Sequence, residues 1–383
     1  MSLIVETLTL NGFRSYRDAH LSLDPELTIL HGANAAGKTN IIEALQMLTA
    51  GESFRKPSRK DLINWESDQA CVSLRAADGS LQRDVVMTVT SDSKDIVVNE
   101  KKIGSMYELG SVLPCVIFSP DDLRIVKESS SRRRQEIDGL GSQLSVTYAR
   151  LASEYKKIIL QRNKMLKDGQ YGSSVFYAWT DRMVEVGLAL IEKRTSLFDY
   201  LRPHVIRFYL GLLDESFAKN VNHSFKTGID DCIKMVTDQD LSLSYLSSWG
   251  QEKNKESFRA TLEAFKEDEI ARRQSLVGPH RDDIVFEVEG KAARNFASQG
   301  QQRSIALAWK LGQLAVIEEL CQKKPLLLLD DVMSEFDQQR RRLLAEMVGK
   351  TAQTVITTAN LDYFERELID RAKLIAIPKE VVR

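Results

Sequence analysis

The chain has 383 residues with 43% hydrophobic content, enough for two or more domains with a real core, which excludes fibrous and disordered classes. Lys and Arg total 53 against 54 Asp and Glu, so any attraction to a polyanion must come from a local basic patch and not from net charge. No apolar run approaches the roughly 20 residues a membrane helix needs, residues 1–10 form no basic leader, and Cys71, Cys115, Cys232 and Cys321 lack C-x-x-C or metal-ligand spacing. These features predict a cytoplasmic protein with reduced thiols and no membrane association.

Strand-like runs come first, at residues 4–10, 27–30, 70–75, 84–90, 96–99 and 114–118, separated by turn signals such as Asp78-Gly79 and Ser91-Asp92-Ser93. Between the run at 27–30 and a helix-like run at 40–48 lies Gly32-Ala33-Asn34-Ala35-Ala36-Gly37-Lys38-Thr39, which fits G-x-x-x-x-G-K-[ST]. A Gly-rich turn before a helix can be incidental. Strand before and helix after make it an ATP site, where backbone N–H groups turn inward around the phosphates and the helix adds the positive end of its dipole. Lys38 is placed to reach the β- and γ-phosphates, and the Thr39 hydroxyl to hold Mg²⁺.

From about Ser131 the texture becomes helical. Leu144, Tyr148, Leu151, Tyr155, Ile158 and Met165 predict a helix over much of 143–167. A second helical stretch covers 175–201 with Pro203 interrupting it, and 257–273 gives a third with Phe258, Leu262 and Phe265 on one face. Strand texture returns at 284–288, a helix follows at 302–321, and the aliphatic run Leu326 to Leu329 comes next. The reading is an α/β fold, an ATPase lobe formed by 1–131 with 276–383, interrupted by an all-helical insertion over 132–275.

Leu326-Leu327-Leu328-Leu329-Asp330-Asp331 has the form of a strand buried on both faces that ends at the nucleotide. Asp330 is the candidate Mg²⁺ ligand, and Asp331 the candidate catalytic acid that orients or deprotonates the attacking water, with Lys38 as the catalytic cation. Upstream, Ala297-Ser298-Gln299-Gly300-Gln301 can present donors to an anion at a helix N-terminus, although a Ser before a helix is most often only its cap. Downstream, Ser334-Glu335-Phe336-Asp337 is another plausible cap. All four segments occur in this order along one chain, which favours an ATPase.

Arg132, Arg133, Arg134, Lys156, Lys157, Arg162, Lys164 and Lys167 cluster around one helical segment and can contact DNA phosphates without reading bases. A charged helical face is usually just solvated, and Glu128, Glu136 and Glu154 dilute this one.

In combination these segments resemble the ABC-type ATPases, and among them the RecF recombination-repair family, over nearly the whole chain. The resemblance is carried by Leu8-Thr9-Leu10-Asn11-Gly12-Phe13-Arg14-Ser15-Tyr16, Ser53-Phe54-Arg55, Phe118-Ser119-Pro120-Asp121-Asp122-Leu123, Arg132-Arg133-Arg134 with Asp138, and Gln161-Arg162-Asn163. Its most specific parts are Gly278-Pro279-His280-Arg281-Asp282-Asp283, Phe296-Ala297-Ser298-Gln299-Gly300-Gln301-Gln302-Arg303 and Leu328-Leu329-Asp330-Asp331-Val332. It implies a slow Mg²⁺-dependent ATPase of recombinational repair, without nuclease activity, that binds single-stranded gaps or their duplex junctions and helps RecO and RecR place the RecA recombinase. Ser298, Gly300 and Gln301 would belong to a signature motif that meets ATP on the opposite subunit of a head-to-tail homodimer, with Asp337 connecting the two sites. The rival readings are an SMC-like structural ATPase, for which about 140 helical residues are too few to build a long coiled coil with a hinge, and a transporter ATPase.

The chain departs from that pattern in places. Ala35 stands where the family commonly has glycine, a replacement that is tolerable if the residue keeps negative φ. Asp331 is shorter than the Glu of transporters, Thr357-Thr358-Ala359-Asn360 occupies the place of their switch histidine, and Glu136 stands where an aromatic residue is expected.

Overall fold

The computed structural model describes residues 3–79, 81–103, 107–110, 113–213, 241–250, 252, 254–348 and 352–378, so Cys232 and residues 214–240 of the inserted stretch lie outside the described residues. The first strands are β1 (Ile4–Phe13), β2 (Tyr16–Ser22), β3 (Leu27–His31), β4 (Ala70–Asp78), β5 (Leu81–Val89), β6 (Lys94–Val98), β7 (Lys101–Lys102) and β8 (Cys115–Phe118). Later come β9 (Ser242–Leu246), β10 (Asp283–Val288), β11 (Lys291–Ala292), β12 (Leu326–Asp330), β13 (Thr354–Thr358) and β14 (Lys373–Ala376).

Side-chain patterning decides which sheet each strand joins. β4 alternates buried with more exposed residues along most of its length, as a strand with one wet face does. It lies in a six-stranded antiparallel sheet of order β2-β1-β4-β5-β6-β7. β12 and β13 are buried at every position and sit inside a five-stranded parallel sheet of order β14-β3-β13-β12-β8. That parallel sheet joins β3, from the start of the chain, to strands from its end.

Two hydrophobic cores lie on opposite faces of the parallel sheet, and its strands feed both with period two. Leu326, Leu328, Leu30 and Val355 point into one core, where the helix Lys38–Thr49 contacts strands of both large sheets. Leu327, Leu329, Ile29 and Ile356 point into the other, shared with the helices Gln299–Cys321 and Ser174–Leu213.

The predicted helix over much of 143–167 is Val146–Lys167, and a separate helix, Ser130–Leu144, precedes it across Ser145, whose extended backbone lets its hydroxyl accept the Tyr148 N–H. The predicted interruption at Pro203 is corrected, because the helix runs from Ser174 through Pro203 to Leu213. Close packing on both sides of the proline outweighs the missing N–H. A Cβ on Gly312 would lie 2.9 Å from Val205 Cγ2 and 3.2 Å from Leu201 Cδ1, so the two helices nearly touch there. The stretch 257–273 also divides, at Phe265, into Lys255–Ala264 and Lys266–Arg272. The inserted stretch contributes one strand besides its helices, since β9 pairs antiparallel with β10 and sets Leu243 opposite Phe286.

Candidate active site

β3, an inner strand of the parallel sheet, delivers the chain to the C-terminal ends of its strands, and the helix Lys38–Thr49 starts without a side-chain cap because its N-cap is Gly37, at φ 93°. Both pattern glycines are required by close approach. A Cβ on Gly32 would sit 2.4 Å from the Ile377 carbonyl oxygen, and one on Gly37 2.9 Å from both the Ser15 and Tyr16 hydroxyls. Ala33, Asn34 and Ala35 form the exposed rim of the loop, while Ala36 is buried. Lys38 Nζ donates to the Gly32 and Ala33 carbonyls at 2.8 Å each, closing the loop into a ring around the ammonium.

The condition under which alanine is tolerated at position 35, a negative φ, is not met, because this residue has φ 64°. The left-handed region brings Cβ close to the following carbonyl, a strain that glycine lacks. Ala35→Gly should therefore raise the unfolding free energy by about 0.5–1 kcal/mol. Urea melts of the two proteins test this, and an unchanged or lowered midpoint would show that Ala35 stores no strain.

The two acids reach the loop from the end of β12. Thr39 Oγ1 donates to Asp330 Oδ1 at 2.9 Å, and Thr357 Oγ1 donates to the same oxygen at 2.8 Å. The Thr357 hydroxyl also accepts the Asp331 N–H at 2.9 Å. Asp331 has φ 54°, a strained setting for a non-glycine residue. Burial pushes the Asp330 carboxyl above the usual carboxylate range, opposed by its two hydroxyl bonds. Burial also raises Asp331, opposed by the Lys38 charge and a hydrogen bond from the Ala359 N–H, while desolvation lowers Lys38 against the pull of both acids. Thr357, which the sequence reading mentioned only as part of the missing switch segment, is thus the residue that ties both acids together. Parallel register sets Thr357 beside Asp330.

Among the described residues no cluster of three or more His, Cys, Asp or Glu is suited to hold a metal. The Thr39 and Asp330 oxygens instead fit a cation that keeps most of its coordination for phosphate and water, as Mg²⁺ does.

A second group gathers around the helix Gln299–Cys321. Ser298 caps it reciprocally with Gln301, each backbone N–H donating to the other's side chain, at 3.2 Å and 2.8 Å. Arg340, absent from the sequence reading, links this turn to Asp337. Its guanidinium donates to the Gly300 carbonyl at 3.0 Å, to Ser304 Oγ at 2.7 Å and to the Asp337 carboxylate, which caps the helix Gln338–Met347. Arg303 is also paired with Glu335, so the turn between Asp331 and Asp337 is tied to the same helix.

Several basic candidates are corrected by their burial. Arg133 is 4% exposed, pairs with Asp283 at 2.7 Å and donates to the Ile125 and Glu128 carbonyls. Arg162, 3% exposed, binds Thr180, Ser275 and Glu269 at 3.1, 2.6 and 2.6 Å and lies over the Phe176 ring. Arg132 pairs with Asp122, and Arg134 donates to the Asp282 carbonyl. Arg133 and Arg162 are buried and not free for phosphate, and Arg132 and Arg134 are half-buried and already bonded within the protein, whereas Lys156 and Lys157 are exposed. Glu136, in place of an aromatic residue, accepts from the buried Lys310 at 2.6 Å.

Cys71, Cys115 and Cys321 are free thiols, and burial pushes Cys115 up to about 11, the behaviour of a small apolar side chain. Among the described residues no helix is long and apolar enough to cross a membrane.

The chain matches the family model described as RecF/RecN/SMC N terminal domain over residues 4–379. It is 35% identical over 375 residues to the DNA replication and repair protein RecF of Geobacillus thermodenitrificans, with 98% of each chain covered. It is 31% identical over 384 residues to the RecF protein of Heliobacterium modesticaldum, covering 97% of each. Among solved structures it is similar to the recombination mediator protein RecF-ATP in the RecFOR pathway, with TM-score 0.81, 27% identity, and 95% of this chain and 94% of that chain covered. A Smc head domain from Pyrococcus furiosus, bound to the C-terminal domain of ScpA, shares the fold alone, at TM-score 0.51 and 15% identity over 98% of this chain and 93% of that one.

Proposed function

The chain belongs to the RecF family, and on that premise we propose that it is a cytoplasmic ATPase of recombinational repair and replication whose ATP-driven homodimer closes on DNA. Slow hydrolysis releases it. Its DNA would be single-stranded gaps or their duplex junctions, and its partners RecO- and RecR-type mediators that place a recombinase.

The observation that carries this reading is the division of the nucleotide machinery into two groups. The P-loop, Asp330, Asp331 and Thr357 form one, and Ser298, Gly300, Gln301 and Asp337 form the other around Arg340. A head-to-tail dimer supplies the capped N-terminus of the helix Gln299–Cys321 with a γ-phosphate bound by the other subunit's P-loop. Thr39 and Asp330 would hold Mg²⁺, which when bound neutralises phosphate charge. Lys38 stabilises charge on the β- and γ-phosphates. Asp331, held by Thr357 and the Ala359 N–H, orients the attacking water and takes its proton, and its raised pKa suits a base.

The SMC-like structural reading has less support. The helix Ser174–Leu213 packs along the helix Gln299–Cys321 of the head instead of projecting from it as a long coiled coil.

Asp331→Asn should trap the ATP-bound state. Sedimentation with ATP and Mg²⁺, with and without a gapped duplex, is expected to show an ATP-dependent dimer that carries DNA. A monomer under every condition overturns the dimer switch.

A further inference from the structure

The helix Val146–Lys167 turns Tyr148, Tyr155, Ile158, Arg162 and Met165 into the protein. With 3.6 residues per turn, the opposite face is a band about 120° wide. Its residues are Val146, Ala149, Arg150, Ser153, Lys156, Lys157, Leu160, Lys164 and Lys167, of which Ala149 is buried and all five cations are exposed. We propose that this face is a track for the phosphate backbone of DNA, a surface that specifies where the DNA of the preceding reading lies and that rests on that reading.

Uniform sign distinguishes this band from an ordinary solvated helix face, on which acids and bases alternate. The helix has one acid, Glu154, which is turned off the band and bound to Arg182 at 2.6 Å. Among the described residues no carboxylate pairs with any of the five cations. A row of charges kept unneutralised repels itself, and a polyanion relieves that repulsion by releasing its own counterions.

Length and chemistry also fit. Arg150 to Lys167 spans about 25 Å at 1.5 Å per residue, the rise of about seven base pairs at 3.4 Å each. Four of the five cations are lysines, flexible point charges suited to phosphate rather than to bidentate reading of a base edge. The positive surface continues past the helix. Lys56, bonded to Gln135, is held below the ordinary ammonium range by desolvation and by the charges of Arg132 and Lys156, against the pull of Glu52 and Glu136. Its neighbour Arg55 donates to Asn40 Oδ1 at 3.0 Å on the P-loop helix, so the band runs back to the nucleotide site.

The test uses the full chain carrying Lys157→Glu, Lys164→Glu and Lys167→Glu together, beside a control with the same three lysines changed to arginine. Binding of a labelled gapped duplex is measured with ATP and Mg²⁺ at several salt concentrations, and thermal melts confirm that both variants fold. The charge-reversed protein should bind roughly 10–100-fold more weakly, and the slope of log affinity against log salt should fall by about 2–3. The arginine control should keep both. If the unaltered protein binds DNA and the reversed variant keeps its affinity and slope, the track is refuted. If the unaltered protein binds no DNA under any condition, the DNA reading itself fails, and the track with it.

Discussion

Lys38→Ala is expected to cut ATP turnover by at least about 10²–10³-fold, the loss that follows removal of one preorganised charge at a reacting centre, while leaving the fold intact. The Lys38 ammonium is ringed by the Gly32 and Ala33 carbonyls and faces both Asp330 and Asp331. Its loss acts twice. The phosphates lose their fixed cation, and Asp331 loses the charge that opposes its upward pKa shift. Phosphate release at saturating ATP measures the effect, with a thermal melt to confirm folding. Turnover within a few-fold of the unaltered protein would remove Lys38 from the catalytic group.

Arg162→Ala should destabilise the protein by about 3–5 kcal/mol, the range for stranding one partner of a buried ion pair. Glu269, 1% exposed, would keep a buried carboxylate with no cation at 2.6 Å. Arg162→Lys should rescue only in part, because one ammonium cannot span Thr180, Ser275 and Glu269 as the planar fork does. Changing both partners together, Arg162→Met with Glu269→Gln, should destabilise less than Arg162→Ala alone, since neither charge is left stranded. Urea unfolding separates these cases. A loss below about 1 kcal/mol for Arg162→Ala would mean that the pair is solvated and that the arginine is available to DNA after all.

The same arginine shows why sequence reading went wrong locally. Arg162 is only a few residues from Lys157 and Lys164, and all three read as one basic cluster. Helical phase separates them, since position 162 falls on the face that holds Tyr155 and Ile158 while 157 and 164 fall on the outer one. That phase was available from the sequence, but the acids that fix Arg133 and Arg162, Asp283 and Glu269, are 150 and 107 positions away. Strand β9 was missed for another reason. Leu241, Leu243 and Tyr245 alternate with serines, but the run is short and lies among helices, and its partner β10 is far along the chain.

Local chemistry was enough to locate the P-loop, the acids after an aliphatic strand, and Ser298 as a helix cap. Each depends on a few consecutive residues whose backbone geometry or burial pattern allows little else. Tertiary structure alone decided that Thr39 and Thr357 share one Asp330 oxygen, that Ala35 is held at φ 64°, and that the chain runs helical through Pro203. It also decided which arginines are buried and that the charges on the outer face of Val146–Lys167 are all cations. The reason is physical. Pairing, packing and solvent exclusion act between groups that lie close in space, so whether a charge is a bolt inside the protein or a contact for DNA depends on neighbours its own segment does not contain.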